Sequence, residues 1–151
     1  MKTTHGFRTG LLLACCGVVL AVNAAAGEPA KEPVRFGKVI EVKAEKLDEY
    51  KRLHANCWAE VEQAMDDANI RGMSIYLRKL PDGKHYLFMY FEYIGQDLDG
   101  DMKKMADDPA VQRWWKQTDP CQEPLPDRKP GEWWASMEEL CSLPLWRPTE
   151  K

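Results

Sequence analysis

Residues 34–43 alternate between apolar and polar positions, with Phe36, Val39, Ile40 and Val42 among them, and predict a first strand. The longest periodic stretch follows at residues 44–69. Its apolar positions are Leu47, Tyr50, Leu53, Cys57, Trp58, Val61, Ala64, Met65 and Ala68. At ~100° per residue these fall within an arc of roughly 140°, which predicts one amphipathic helix. Residues 71–80 read as a second strand, with Met73, Ile75 and Leu77 on one side and Ser74, Tyr76 and Arg78 on the other. Pro81-Asp82-Gly83 is a turn signal, so residues 84–94 form a third strand in a hairpin with the second. Residues 96–115 are polar and helical, expected in two pieces, because Asp108 suits an N-cap and Pro109 the first helical position. Four prolines make residues 118–131 a loop. Residues 133–143 carry enough apolar side chains for a closing strand, although Met137-Glu138-Glu139-Leu140 reads equally as helix.

This order, β-α-β-β-α-β, is that of an α+β ferredoxin-like sandwich, an antiparallel sheet with helices on one face. Such a sheet leaves its other face bare, and pairing two sheets in a homodimer would hide it.

The N-terminus changes the bookkeeping. Lys2 and Arg8 precede a short apolar run, Leu11 to Val22, which ends in the small residues Ala24 and Ala26. That succession predicts a signal peptide over residues 1–26 and export to a periplasmic or extracellular space. A dozen apolar residues are too few to span the ~30 Å hydrocarbon core as a helix. An uncleaved N-terminal anchor, or a lipoprotein cleaved at Cys15, is the alternative. Residues 27–33 then form a loose lead-in, and residues 34–145 a single domain.

Losing Lys2 and Arg8 with the leader takes the net charge from −3 to −5. An acidic domain argues against nucleic acid as a partner, and no polybasic helix suggests a membrane surface after cleavage. Cys57, Cys121 and Cys141 remain, enough for one disulfide, with Cys121–Cys141 the expected pair because Cys57 falls on the buried side of the helix. No C-x-x-C, C-x-x-C-H or H-E-x-x-H motif supports a metal site or haem attachment. Asp97, Asp99 and Asp101 alternate, but without a distal glutamate they read as a solvated loop and not a calcium site. His85, beside the hairpin turn, is expected in solvent.

Candidate chemistry concentrates on the first helix. His54 falls inside the apolar arc, four residues after Tyr50 and four before Trp58, which predicts three side chains in a row. A lone histidine on such a face is usually a core residue satisfied by one hydrogen bond. Half-buried between a phenol and an indole, however, its pKa would sit near or below neutrality, which suits proton transfer. Trp114 and Trp115 cannot both face one core, since neighbours on a helix point ~100° apart. One of them should line a cleft or an interface, and indole faces stack well on pyranose rings. Tyr76 matters only if its side of the strand lines the pocket. Of Trp133 and Trp134, one is expected in the core.

Together these residues resemble the L-rhamnose mutarotase family over residues 34–143. The likeness rests on Glu49-Tyr50-Lys51-Arg52-Leu53-His54, on Trp58 and Glu60, on Ser74-Ile75-Tyr76-Leu77, on Val111-Gln112-Arg113-Trp114-Trp115, and on Met137-Glu138-Glu139-Leu140. It implies a dimeric α/β barrel and an isomerase that interconverts the anomers of L-rhamnose or a similar deoxyhexose without cofactor or metal. It also implies that His54 is the proton donor and that Tyr50, Tyr76, Trp114 and Trp115 bind the sugar, with Trp58 a candidate pocket wall. One departure is Trp58-Ala59-Glu60, where the family commonly has Trp-Pro-Glu. Two rival readings remain: a non-catalytic sugar-binding module that kept the pocket, and a haem-binding or monooxygenase-type dimeric barrel using His54 as ligand or base.

Overall fold

The structure is a computed structural model and describes residues 32–143. The leader and the last residues of the expected domain therefore lie outside the described residues. Strand β1 (Val34–Val42) is central and pairs antiparallel with β3 (His85–Tyr93) along its whole length. On the far side of β3 lies β2 (Ile70–Lys79), and Leu80 N–H closes the hairpin onto the Lys84 carbonyl. The other edge of β1 is shared by two short strands. One is β4 (Gln122–Glu123), opposite Glu41 and Val42, and the other is β5 (Ala135–Met137), opposite Gly37 to Val39. The order β2-β3-β1-β4, all antiparallel, is the ferredoxin-like arrangement expected from the sequence.

Directly opposed residues share a face, so the register sorts the sheet. Ile40, Val42 and Leu87 lie on one face and are buried under α1 (Leu47–His54), α2 (Ala59–Asp67) and α4 (Pro109–Thr118). Tyr50 and Leu53 from α1, Val61 from α2, and Ala110 and Trp114 from α4 complete that core. The opposite face carries the row Val39, Phe88 and Tyr76, flanked by Tyr90 and the Arg35–Glu92 ion pair.

The long helix does not form as one rod. It begins as a single tight turn at Ala44–Lys46, runs as α1 to His54, breaks, and restarts as α2 at Ala59. In the break Trp58 is extended (φ −78°, ψ 135°), and its carbonyl receives the N–H groups of Val61 and Glu62. Edge-to-face packing of its ring on Trp114, at 5.4 Å between centroids, holds it in place of helical continuity. Ala59 is therefore the first residue of α2. The family's proline falls on that position, where a fixed φ suits a helix start. The break survives here without it. Asn69, at φ 59°, ends α2 in the left-handed region and receives the Ile94 N–H on its carbonyl.

Residues 96–115 divide as expected into α3 (Leu98–Asp107) and α4, with Asp108 accepting from the N–H groups of Ala110 and Val111. The acidic loop has structural work. Asp97 caps α3 through Gly100 N–H, and Asp101 accepts from the Tyr93 phenol at 2.6 Å and the Asn69 amide at 2.8 Å. No group of three or more His, Cys, Asp or Glu able to hold a metal occurs among the described residues. None of the described helices is long and apolar enough to cross a membrane.

Four further expectations need correction. The three cysteines among the described residues are free thiols: Cys121 is fully buried in the helix-side core, with its thiol on the Gln117 carbonyl, while Cys141 is exposed in the C-terminal segment. Cys57 lies in the break and not on a helix. His85 is half-buried at the start of β3, with its Nδ1 enclosed and without a hydrogen-bond partner among the described residues, because Val42 and Lys79 flank it across the sheet. The closing strand shrinks to Ala135–Met137, and residues 138–143 are neither strand nor helix.

Candidate functional site

Tyr50 and His54 occupy successive turns of α1, and their rings stack at 4.0 Å between centroids. His54 is half-buried, and its Nδ1 lies 3.1 Å from the Tyr50 carbonyl. A carbonyl only accepts, so Nδ1 carries the hydrogen and Nε2 holds the free lone pair of the neutral ring. Burial lowers the His54 pKa from its ordinary value, and the Tyr50 carbonyl offsets this only in part. The ring is thus neutral at pH 7, with Nε2 free to take up and return a proton.

Trp114 is 4% exposed and meets the His54 edge at 5.2 Å. Trp58 also packs edge-to-face on Trp114. Tyr50, His54, Trp114 and Trp58 are therefore one contiguous aromatic chain. Its logic differs from the three-in-a-row face expected on a single helix, because Trp58 arrives through Trp114 and not by helical spacing. Trp115 is half-buried against the same core, as divergence of neighbouring indoles requires.

A cleft of about 290 Å³ opens beside this chain, lined by Tyr50, Lys51, His54, Ala55, Ile75, Leu77 and Leu87. It lies at the lower end of the ~300–1,000 Å³ usual for small-molecule sites, a size for a single sugar ring. Tyr76 is not brought to it. Ile75 and Leu77 point into the cleft, so strand alternation sends Tyr76 to the opposite face, where it is 64% exposed. A larger recess of about 770 Å³ between Arg35, Tyr90 and Glu92 and residues 136–143 contains none of the expected site residues.

Sequence reasoning missed the polar groups behind the aromatics. Gln122 of β4 is 4% exposed and accepts the Trp133 indole N–H on Oε1 at 2.7 Å. Burial raises the Tyr50 pKa, and Gln122 opposes this only in part. Glu132 gathers the Lys129 N–H, the Ser136 N–H and hydroxyl, and the Lys38 ammonium, tying the segment before β5 onto β1. Ser136, the largest influence, Lys38 and Lys129 hold the Glu132 carboxyl at about 2. Neither Gln122 nor Glu132 sits in a periodic stretch. The one available signal was the run of prolines that brings residues 122–134 back over the helix ends. Trp134 packs on the core and Trp133 is partly exposed, as one of the pair had to be.

A family model described as L-rhamnose mutarotase matches residues 35–143, nearly every described residue. The chain belongs to the L-rhamnose mutarotase family. The chain is similar to several named proteins at modest identity. The L-rhamnose mutarotase of Bacillus subtilis is 31% identical over 96 residues, 64% of this chain and 86% of that protein. A Dictyostelium discoideum protein called UPF0734 is 34% identical over 105 residues, 66% of this chain and 79% of its own length. The crystal structure of an L-rhamnose mutarotase from Formosa agariphila superposes with a TM-score of 0.53 at 21% identity, covering 74% of this chain and 99% of that one. At that identity the likeness supports the fold alone.

Proposed function

We propose that this chain interconverts the α and β anomers of L-rhamnose or a similar 6-deoxyhexose at the cleft beside His54. The observation that carries this reading is the neutral imidazole, stacked on a buried phenol and opening on a ring-sized cavity, in a chain of the mutarotase family. Mutarotation removes a proton from the anomeric hydroxyl and delivers one to the ring oxygen, as the bond from the anomeric carbon to the ring oxygen breaks and the carbon–hydroxyl bond becomes the carbonyl of the open chain. Rotation about the next carbon–carbon bond and reclosure reverse both transfers. His54 Nε2 suits this cycle: the neutral ring accepts the anomeric proton as the ring opens and returns it on reclosure, while a bound water supplies the proton to the ring oxygen and takes it back. Water performs the reaction slowly unaided, so no covalent intermediate is required. Positioned acid–base groups add ~10²–10⁴-fold, and holding the sugar in place adds more. Saturation-transfer NMR between the two anomeric resonances of L-rhamnose measures the exchange directly. Enhancement by the wild type, absent in His54→Ala, supports the assignment; a wild type no faster than buffer removes it.

Two further features belong to the same reading. The apolar row Val39, Phe88 and Tyr76 on the helix-free face favours a homodimer joined sheet to sheet, which gives Tyr76 an interface role in place of a sugar contact. Light scattering on the wild type and on Phe88→Asp tests it, with a dimer and a monomer expected. The basic, apolar, small-residue succession of residues 1–26 favours export. Mass spectrometry of protein recovered outside the cytoplasm, beginning at Gly27, is the expected result.

A further inference from the structure

The two walls of the cleft beside His54 differ in kind. The helix wall carries the His54 imidazole and, one turn earlier on α1, the Lys51 side chain. The strand wall is hydrocarbon throughout, with Ile75 and Leu77 from β2 and Leu87 from β3. Leu77 and Leu87 are directly opposed in the register, on the side of the sheet that the helices cover. Even so, Leu87 is 2% exposed and Leu77 38%. A single open leucine is common on any protein surface. This one instead carries the apolar surface of the core out into the cleft, with Ile75 beside it on the same face. No side chain of that wall can donate or accept a hydrogen bond. A hydroxyl pressed against it would lose its water and gain no side-chain partner.

We infer that Leu77, backed by Ile75, is the specificity-determining residue of the cleft and receives the group attached to C5 of the sugar. The geometry of a pyranose links this to the reaction. C1 and C5 are bonded to the same ring oxygen. A sugar that presents its C1 hydroxyl and ring oxygen to His54 therefore carries its C5 substituent within a ring's width of the imidazole. In a cleft sized for one ring, that substituent meets the strand wall. A methyl group leaves water favourably on such a surface, whereas a hydroxymethyl or carboxylate group does not. Selection for a 6-deoxy sugar thus comes from hydrocarbon contact with Leu77 and not from a hydrogen bond. The same contact serves the ring-opened chain. Held at C5, it keeps the former ring oxygen in place while C1 turns, ready for reclosure. The inference rests on the mutarotase reading and adds to it which side of the sugar meets the strands.

The test measures anomer exchange, as enhancement over buffer, for three sugars that differ only at C5. L-Rhamnose carries a methyl group there, L-mannose a hydroxymethyl group and L-lyxose a hydrogen. The wild type should favour L-rhamnose roughly tenfold over either of the others, the scale of one methyl-sized group in an apolar site. Leu77→Ala should bring the ratio of L-rhamnose to L-lyxose close to one, because only L-rhamnose has a methyl contact to lose. Leu77→Thr places a hydroxyl on the same wall and should raise L-mannose relative to L-rhamnose. A merely structural role lowers all three sugars by the same factor and leaves both ratios unmoved. Unmoved ratios, or a wild type that exchanges anomers without preferring L-rhamnose, overturn this inference and leave the mutarotase reading standing. If neither variant folds, nuclear Overhauser contacts in the wild type decide. The labelled Leu77 methyls should contact the L-rhamnose methyl, and a sugar methyl that contacts α1 and not Leu77 overturns the inference. A wild type that accelerates none of the three sugars removes both readings.

Discussion

His54 shows how one hydrogen bond and partial burial specify a chemical role. The Tyr50 carbonyl fixes the proton on Nδ1, and burial keeps the ring neutral. Its titration, followed by imidazole carbon–proton NMR, should give a pKa below the ordinary 6.5; a value at or above 6.5 contradicts the burial argument. The sign for stability follows. Between the lowered folded value and 6.5 the unfolded chain binds more protons, so stability rises with pH in that window. The contribution is present above 6.5 and disappears as pH falls through the folded value. If the neutral ring starts the cycle, exchange should fall over the same acidic range. The pair Tyr50–His54 was legible because helical spacing of four is a strong geometric statement. The alternation of its strand put Tyr76 on the side away from the main core, where it lies; the sugar contact was implied by the family resemblance alone.

At the level of elements, the capping and turn chemistry held wherever a local rule decided the outcome. Asp108 caps α4 through two backbone N–H groups, and Asp108→Ala should cost about 1 kcal/mol in a denaturant titration. An unchanged midpoint would show that the cap contributes nothing. The break between α1 and α2 was not legible from periodicity. No glycine or proline interrupts residues 55–58, and the apolar arc runs through them unbroken. What breaks the helix is a long-range partner, Trp114, some fifty residues later. Gln122 and Glu132 escaped for the same reason, since a polar residue in a proline-rich loop shows its burial only after the loop has docked. Glu132 makes that docking acid-sensitive. With its folded value near 2 against an ordinary 4.5, the stabilisation is complete above 4.5 and is lost as pH falls toward 2. Amide exchange at Ser136 should therefore accelerate over that range, and Glu132→Gln should abolish the acid dependence.

Across the whole domain, one sheet serves two surfaces. Its helix side carries the core and the cleft; its other side carries the apolar row Val39, Phe88 and Tyr76. Leu87 lies in the core and on the cleft wall at once, being 2% exposed and lining the cavity. Leu87→Ala should therefore destabilise the fold by about 2–5 kcal/mol while also enlarging the cleft. The ferredoxin-like order was legible from the succession of periodicities, because each strand and hairpin announces itself locally. The division of the outer edge of β1 between β4 and β5 was not, since neither short strand is long enough to carry a pattern. The most direct measurement is saturation transfer between the anomeric protons of L-rhamnose, with equal amounts of wild type and His54→Ala. Exchange should be fast with the wild type and fall ~10²-fold or more in the folded variant. Exchange that persists undiminished in a folded His54→Ala protein would contradict the role given to the imidazole.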